Sequence, residues 1–324
     1  MILGARGASA EWEPASGHLP RLVIGGADVL WRAPWRNDPA VQVDCSIPLV
    51  DRRLGGTFVC APFGADDVDG GPPHGRPANG AWRVLHRSHS ALVAETSLPR
   101  GRLRARLTFR DSHPALYQQH LLDLHAPSTF AHHPMIRAGG GATLTTSARS
   151  ARTFPPMEAL SAERLPADAV LDPSALERLP EAPGCDFVTL VHTPEGLGWT
   201  AVAREQEGDA VLFLKRSEQL PVTNLWLWNG GRQESPWRGL REGVIGVEDA
   251  RCAGADGFRA ALEGRSRIEG VPLCFPPGRH AIAHAVLRIA DCGTVRDVRV
   301  RRDALEVATD EGRCVVPFDG THLA

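Results

Sequence analysis

The chain has 324 residues, of which 43% are hydrophobic and 23% are charged, and its formal net charge is −2. That composition is typical of a globular protein with enough apolar material for a sizeable core. A net charge this close to zero excludes a broad electrostatic field for nucleic acid or anionic membrane. No apolar run approaches the roughly 18–20 residues needed to cross a bilayer, so we expect neither partner.

The N-terminus and the cysteines both indicate a cytoplasmic protein. The opening MILGARGASAEWEP lacks a charged start followed by an apolar run and a cleavage site, so no signal peptide is expected. The cysteines are odd in number, widely spaced and form no C-x-x-C pair, which favours reduced thiols over a disulfide framework or a zinc knuckle. They are Cys45, Cys60, Cys185, Cys252, Cys274, Cys292 and Cys314.

The first predicted element is a hairpin between Arg21 and Trp35. Its sequence, RLVIGGADVLWRAPW, places two short β-rich runs on either side of Gly25-Gly26. A two-residue Gly-Gly connection between apolar runs is a strong hairpin signal.

A stretch from Gly55 to Trp82 follows, GGTFVCAPFGADDVDGGPPHGRPANGAW, and it neither alternates like a strand nor reads like an ordinary polar loop. Glycine and proline permit and fix unusual backbone angles there. Aromatic side chains around such a rigid polar turn favour a concave site for a polar, flat-faced ligand, and a well-packed surface loop is the alternative. The aromatic and polar residues of this stretch are Phe58, Phe63, His74, Arg76, Asn79 and Trp82.

The remainder of the chain predicts strands almost throughout. Residues 82–125 alternate between apolar and polar side chains with a period of two, as half-buried strands do. In ALYQQHLLDLHAP this puts Leu116, Gln118, His120 and Leu122 on one side of the strand. Residues 155–184 break the pattern with a Pro, Ala, Glu and Leu-rich excursion. Strands then resume, with TPEGLG predicted as a hairpin turn and DGFRAALEGR as a short helix.

Many short strands with Gly/Pro turns, and no long amphipathic helix, predict an all-β sandwich or barrel. Strands from both ends of the chain are needed to complete it, and no composition break divides the sequence. We therefore predict one β domain over residues 1–324, with the irregular excursion at about 155–184.

Several motifs, in this order along the chain, resemble the aldose 1-epimerase (galactose mutarotase-like) superfamily. GGADVLWRAP is similar to an early hairpin of that family, and GGTFVCAPFG…HGRPANGAW to its sugar-binding turn. FAHHPMI resembles its His-Pro motif, LWLWNGGRQESPWRG…GVIGVED its Trp-rich strand and Glu-bearing loop, and PGRHAIAHAVLRI its closing strand. The resemblance covers most of residues 20–290 and implies a large antiparallel β-supersandwich.

The resemblance implies an isomerase that interconverts the α and β anomers of a hexose, or of its phosphate, without metal or nucleotide. It implies that Glu248 is the catalytic base, that His133 is the acid and that His74 orients the substrate. Such a pair requires an ionised Glu248 and a protonated His133 at rest. The remaining predicted substrate-binding residues are Arg76 and Asn79 for hydroxyl groups, Trp82 and Trp228 for the apolar face of the sugar, and His132.

The sequence also departs from the family pattern. Asp249 stands after Glu248 where many members have proline, Met135-Ile136 replaces an aromatic pair, and no counterpart of the family's substrate-binding aspartate is found. His132 competes with His133 for the acid role because adjacent strand residues point to opposite faces. Glu248 in a structural salt bridge, with Glu242 as the base instead, is a further alternative.

Two other arrangements of residues suggest different ligands. His280 and His284 are four residues apart and, together with His132 and His133, raise the question of a metal site. The alternation in HAIAHAVLRI is typical of an ordinary strand and carboxylate ligands at fixed spacing are missing, so no metal is expected. Arginines 76, 232, 238 and 241 would bind a sugar phosphate if they converge, and scattered arginines on a solvated surface are the favoured alternative.

Three functions are therefore compared. The first is a cofactor-independent mutarotase, the second a non-catalytic carbohydrate-binding protein on the same scaffold, and the third a sugar lyase or glycosidase. The third would need a tyrosine or a second carboxylate in the site, and the chain has only Tyr117, which disfavours a lyase. The expected partner is a monosaccharide or sugar phosphate, and the expected state is a monomer or homodimer.

Overall fold

The computed structural model of the protein describes residues 1–155, 165–178 and 183–324. The strands of these residues are β1 (Ile2–Ala5), β2 (Ala8–Glu11), β3 (Arg21–Ile24), β4 (Ala27–Asp28), β5 (Val59–Cys60), β6 (Arg83–Arg87), β7 (Ala91–Leu98), β8 (Gly101–Thr108), β9 (Ala115–Leu124), β10 (Ala131–His132), β11 (Met135–Arg137), β12 (Ala142–Thr146), β13 (Ser150–Arg152), β14 (Val170–Leu171), β15 (Gly184–Val191), β16 (Leu197–Arg204), β17 (Asp209–Arg216), β18 (Val222–Asn229), β19 (Val244–Ala250), β20 (Gly278–Ala290), β21 (Val295–Val300), β22 (Ala304–Thr309) and β23 (Gly312–Pro317).

The helices are short. They are α1 (Pro39–Val43), α2 (Leu49–Arg52), α3 (Gly75–Asn79) and α4 (Phe258–Glu263), with single 3-10 turns at Pro34–Asn37, Pro173–Leu176 and Gly320–Leu323. The helix predicted in DGFRAALEGR is confirmed as α4. None of the helices in the described part of the chain has both the length and the apolar content that a membrane span requires.

Two eight-stranded antiparallel sheets form the body of the molecule. One of them, named the site sheet below, has the order β14-β13-β15-β18-β19-β10-β5, with β11 paired to β19. The central sheet has the order β12-β16-β17-β20-β9-β8-β7-β6. A four-stranded sheet, β1 to β4, and a three-stranded sheet, β21 to β23, complete the fold. The predicted all-β, antiparallel class is confirmed.

Side-chain alternation along the strands divides the core into layers. On β19, Ile245 and Val247 pack into the largest hydrophobic cluster, which fills the space between the site and central sheets. Val244 and Ala250, on the opposite face of the same strand, join a second cluster that covers the outer face of the site sheet. A third cluster packs the other face of the central sheet against the C-terminal three-stranded sheet. Each face of the site sheet is therefore buried, but in different surroundings.

One predicted turn is confirmed and one is wrong. The Gly25-Gly26 hairpin joins β3 and β4, with Ile24 opposite Ala27. TPEGLG is not a hairpin turn, because β15 pairs with β13 and β18 whereas β16 pairs with β12 and β17. The segment instead carries the chain from the site sheet to the central sheet. Local turn residues predict a reversal of direction, but the pairing partners depend on distant strands.

The predicted excursion lies partly outside the described residues, at 156–164 and 179–182. Its described part contains β14, which pairs with β13, and a 3-10 turn at Pro173–Leu176. The prediction of one domain over residues 1–324 stays a prediction.

Candidate functional site

Glu248 points out of the site sheet on the face opposite the main core. It lies on β19, where the alternation of side chains directs Ile245 and Val247 inward and Gly246 and Glu248 outward. A Cβ atom at Gly246 would lie 2.9 Å from Glu248 Oε1, so the absence of a side chain there leaves room for the carboxyl group. Glu248 is only 1% exposed.

His133 contacts this carboxyl group directly. Its Nε2 atom lies 3.1 Å from Glu248 Oε1. The ring stacks on Phe58 with a centroid distance of 4.6 Å, and the His133 backbone N–H donates to the Phe58 carbonyl at 2.9 Å. The Gly55–Trp82 stretch therefore holds the histidine through Phe58, while a neighbouring strand supplies the glutamate.

The environment of this pair favours its neutral form. Burial raises the pKa of Glu248 well above its usual value, and burial lowers the pKa of His133 well below its usual value. In the neutral form of the pair, the Glu248 carboxyl donates its proton to the unprotonated His133 Nε2. Burial thus opposes the ionised glutamate and protonated histidine that the family resemblance implies.

Two polar atoms of the pair remain unpartnered within the described residues, Glu248 Oε2 and His133 Nδ1. Because Nε2 accepts a hydrogen bond in the neutral form, Nδ1 carries the ring proton. Buried polar atoms are normally hydrogen-bonded, so a donor and an acceptor left over in adjacent side chains suit a polar ligand.

His74 completes a group of aromatic and imidazole rings. Its φ of 64° places it in the left-handed region at the start of α3. Its ring lies edge-on to His133, with centroids 5.1 Å apart and an interplanar angle of 85°. The Gly64 backbone N–H lies 3.4 Å from His74 Nδ1, and burial lowers the pKa of His74 to about 4. His74 is therefore a neutral ring beside the pair.

Glu248, His133 and His74 all line one cavity of about 420 Å³. That volume lies within the range of about 300–1,000 Å³ typical of small-molecule sites. Its apolar lining includes Phe63, Phe187, Trp226 and Trp237, together with residues on both sides of positions 156–164. The cavity thus combines flat apolar surfaces with a small polar group, as sites for sugars require.

Asp51 and Arg232 contribute opposite charges to the lining of the cavity. Burial raises the pKa of Asp51 to about 6, and the Arg232 charge partly opposes this rise. The Arg232 guanidinium lies over the Trp237 ring, 4.7 Å from its centroid. Such a cation–π contact holds the guanidinium in place at the wall of the cavity.

Three predicted substrate-binding residues occupy other positions. Asn79 donates from its amide to the Pro73 and Gly75 carbonyls at 2.7 and 2.8 Å, and its oxygen accepts from the Val50 N–H at 3.0 Å. Trp82 donates to the Pro77 carbonyl at 2.9 Å, and Arg76 is exposed. None of the three is part of the described lining of the cavity. Asn79 and Trp82 instead stabilise the turn that presents His74.

His132 and Trp228 are also displaced from the cavity lining. His132 points to the opposite face from His133, where its ring stacks on His284 at 4.0 Å. Trp228 lies behind the aromatic wall, with ring centroids 5.9 Å from Trp226 and 4.9 Å from Trp237. Both side chains therefore lie outside the described lining of this cavity.

Glu242, the alternative base, lies in a second cavity of about 630 Å³ that Trp228 and Arg241 also line. It accepts a hydrogen bond from the Trp31 indole N–H, and its Oε2 lies 3.7 Å from Arg137. Although this cavity is larger, its described lining contains no histidine to pair with the carboxylate. The 420 Å³ cavity is therefore the better candidate for acid–base chemistry.

A metal site finds no support in the described residues, where no group of three or more His, Cys, Asp or Glu side chains is arranged to hold an ion. His280 donates from Nε2 to the Pro276 carbonyl, 2.8 Å away, whereas His284 faces Asp249. The four histidines of the metal hypothesis thus lie in three different surroundings.

The sequence analysis did not single out Asp51, Phe187, Trp226 or Trp237 for the cavity. Trp226 had a usable signal, because LWLWNGG puts it on the same strand face as the Trp228 that was selected. Asp51 and Phe187 had none, since they come from a short helix and a strand far apart in sequence.

Comparison with solved structures identifies the architecture. The galactose mutarotase related enzyme from Lactobacillus acidophilus superimposes with a TM-score of 0.61 at 11% identity, covering 90% of this chain and 97% of the other. A galactose mutarotase-like protein from Clostridium acetobutylicum gives 0.57 at 10% identity, covering 88% and 94%. The chain has the galactose mutarotase-like fold.

A third structure with this fold, the GalM/aldose epimerase homologue from C. elegans, gives a TM-score of 0.56 at 14% identity and covers 90% of this chain and 98% of the other. No protein-family model and no curated protein sequence matches the chain. The galactose mutarotase-like fold is thus evident in three dimensions although sequence identity to these structures is 10–14%.

Proposed function

We propose that the protein is a cofactor-independent aldose 1-epimerase that acts through Glu248 and His133. The observation that carries this proposal is the direct contact of the two side chains, 3.1 Å between Nε2 and Oε1, in an aromatic cavity of about 420 Å³. Anomer exchange requires one group that gives a proton and one that takes a proton, and a carboxyl–imidazole pair in contact provides both.

The neutral form of the pair determines the direction of the first proton transfers. Glu248 gives its proton to the ring oxygen of the sugar, and the neutral His133 ring takes the proton of the anomeric hydroxyl, so the bond between C1 and the ring oxygen breaks. The open aldehyde rotates about its C1–C2 bond, and the reverse transfers close the ring on the other face. Glu248 is then the first acid and His133 the first base, the opposite of the roles that the family resemblance implies.

A sugar that enters between Glu248 and His133 can replace the hydrogen bond that these two side chains make with each other. The anomeric and ring oxygens are bonded to the same carbon, so one sugar presents a donor and an acceptor side by side. His74 adds a neutral imidazole beside them, and Trp226 and Trp237 add apolar ring faces. Exclusion of water by these rings strengthens the hydrogen bonds made inside the cavity.

We further propose that the substrate is an unphosphorylated sugar. In the described lining Arg232 is the one arginine, and its charge acts on Asp51, whereas Arg76, Arg238 and Arg241 do not line this cavity. A phosphate dianion is usually held by several guanidinium or backbone N–H donors. One arginine beside a carboxyl group suits hydroxyl groups better.

Anomer exchange in a panel of aldoses and hexose phosphates tests both proposals, measured by polarimetry or saturation-transfer NMR. We expect exchange of at least one neutral aldose, and at least about tenfold slower exchange of its 6-phosphate. Glu248→Gln and His133→Asn should each lower the rate by about 10²–10⁴-fold. Glu242→Gln, in the second cavity, is the matched control and should retain the wild-type rate.

Equal exchange by wild type and Glu248→Gln would remove Glu248 from the chemistry. Faster exchange of the 6-phosphate than of the free sugar would contradict the neutral substrate.

A non-catalytic sugar-binding protein is the second candidate. It is favoured by the departures from the family pattern at Asp249 and at Met135-Ile136. Sugar-dependent NMR shifts of the cavity residues without exchange of any anomer would support this candidate over the enzyme.

A further inference from the structure

On each of two strands of the site sheet, two adjacent residues point to opposite faces of the sheet. They are His132-His133 at β10 and Glu248-Asp249 on β19. Because side chains alternate along extended backbone, His133 and Glu248 face the cavity while His132 and Asp249 face the space between the sheets. Whatever fixes the inner residue of each pair therefore also fixes the outer one.

Asp249 is held by side chains of the central sheet. Its Oδ2 accepts from His284 Nε2 at 2.9 Å, and its Oδ1 lies 2.8 Å from Lys215 Nζ. Lys215 also donates to Thr223 Oγ1 at 2.6 Å and to the Val222 carbonyl, so its three N–H groups all have acceptors. Lys215 is 0% exposed and Asp249 is 1% exposed.

The network continues to both sides of this ion pair. The Thr223 hydroxyl donates to Asp249 Oδ1 at 2.6 Å and accepts from His192 Nε2 at 2.9 Å. Burial alone would raise the pKa of Asp249, but the Lys215 charge and the His284 hydrogen bond hold it well below its usual range. Burial lowers the pKa of Lys215 to about 8.

His284 links the network to the strand of the second catalytic residue. Its ring stacks on His132 at 4.0 Å with an interplanar angle of 16°. The Gln118 amide lies 3.0 Å from its other nitrogen, Nδ1, and donates to it when Nε2–H faces Asp249. Lys215, His284 and Gln118 are direct neighbours across β17, β20 and β9. One row of the central sheet thus contacts both strands of the site.

We propose that the Lys215–Asp249–His284 network is a positioning device for the catalytic pair. It fixes β10 and β19 against rotation about their axes and thereby holds His133 Nε2 within hydrogen-bond distance of Glu248 Oε1. This inference rests on the proposed function for its catalytic consequence.

Stability alone does not require such a network. Well-packed hydrophobic residues often replace a buried ion pair without loss of stability. Proton transfer, by contrast, depends strongly on geometry, and a displacement of about 1 Å in a catalytic group can cost about 10²-fold in rate. The adjacency of both catalytic residues to members of the network points to this second requirement.

The test is the double variant Lys215→Met with Asp249→Asn, which removes both charges and keeps the side-chain volumes. Its matched control is Arg204→Met with Asp209→Asn, which removes another buried ion pair, with N–O distances of 2.8 and 2.7 Å. This control also removes the contact of Asp209 with Arg288, just as the test variant removes the charged partner of His284. Asp209 lies six residues before Lys215 on β17, about 20 Å along the strand.

We expect the double variant to lower kcat for anomer exchange by about 10–100-fold, with KM changed less than about twofold. The ¹⁵N resonance of His133 Nε2, assigned by difference with His133→Asn, should shift because its hydrogen bond to Glu248 lengthens. The control pair should leave kcat and this resonance unchanged.

Wild-type kcat and an unchanged His133 resonance in the double variant would overturn the proposal, as would an equal loss of kcat in the control. If the double variant does not fold, Thr223→Val removes the hydrogen bond to Asp249 and the hydroxyl that accepts from Lys215 and His192, and it keeps the ion pair. It should lower kcat severalfold, and unchanged kcat and resonance would overturn the proposal.

The two proposals fail in different ways. A wild-type protein that exchanges no anomer contradicts the proposed function, whereas the His133 resonance still reports whether the network positions the ring.

Discussion

Glu248 and Asp249 are adjacent carboxyl residues on one strand, and the fold gives them opposite chemistry. Glu248 faces an aromatic cavity, where burial raises its pKa well above the usual value. Asp249 faces the space between the sheets, where Lys215 and His284 hold its pKa well below the usual range despite burial. Both are about 1% exposed.

The difference shows that burial alone does not set the protonation of a carboxyl group. The cavity face offers Glu248 no described cation, so the proton is the remaining way to avoid a bare buried charge. The inner face offers Asp249 an ammonium and two hydrogen-bond donors, so the charge is retained. One face therefore favours a protonated carboxyl group, and the other holds an ion pair.

The largest expected effect is acid unfolding, because both faces of the site sheet hold histidines that are neutral when buried. Burial lowers the pKa of His18 and His74 to about 4, that of His120 to about 3, and those of His132, His133 and His192 well below the usual 6.5. In the unfolded chain these rings bind protons near pH 6.5, so the free energy of unfolding falls as pH drops from about 6.5 to about 4.

Each such histidine contributes up to about 1.4 kcal/mol per pH unit in that range. Urea denaturation at pH 7.5, 6 and 5 checks this expectation. An unfolding midpoint that does not change between pH 7.5 and 5 would contradict the neutral assignment on both faces.

The next largest effect compares the two carboxyl groups directly. Asp249→Asn leaves Lys215 without its buried counter-charge and should lower the free energy of unfolding by about 3–5 kcal/mol. Glu248→Gln should not lower it at pH 7. The raised pKa means that stability from the Glu248 carboxyl is present below the unfolded value of 4.5 and is lost as pH rises. Denaturant unfolding of both variants at pH 7 measures this, and the reverse order would break the comparison.

A smaller effect is expected for Asn79, which stabilises the turn that presents His74. Asn79→Ala removes three hydrogen bonds and should lower the free energy of unfolding by about 1–3 kcal/mol, with KM for the sugar unchanged. Thermal unfolding and exchange kinetics check the two parts separately. A raised KM at unchanged stability would instead support the predicted substrate-binding role.

The smallest effect concerns the two arginines near the site. Arg232→Met should raise KM by about tenfold, because a guanidinium held over Trp237 at the cavity wall is lost. Arg76→Met should leave KM and stability within error, since Arg76 is exposed outside the cavity lining. Exchange kinetics on one neutral aldose measure both, and equal effects would show that the cavity extends to Arg76.

Much of the fold was predictable because its signals are local. Period-two alternation, as in ALYQQHLLDLHAP, identifies strands with one face in the core, and Leu116 and Leu122 indeed pack between the two sheets. The Gly25-Gly26 turn fixed a hairpin because the two glycines take positive φ angles of 59° and 81°. The pairing partners of the strands were harder to predict, since TPEGLG has the composition of a hairpin turn but connects two different sheets.

For the site, the sequence by itself determined which residues could react. Tertiary structure decided which form of each residue is favoured and which side chains surround it. FAHHPMI and GVIGVED supplied a histidine and a glutamate on separate strands, and alternation already placed one residue of each adjacent pair on each face. Only the folded chain brought His133 within 3.1 Å of Glu248, and only the packing of the central sheet put Lys215 beside Asp249. The physical reason is that a pKa depends on solvation and on neighbours from distant segments, which no single stretch of sequence contains.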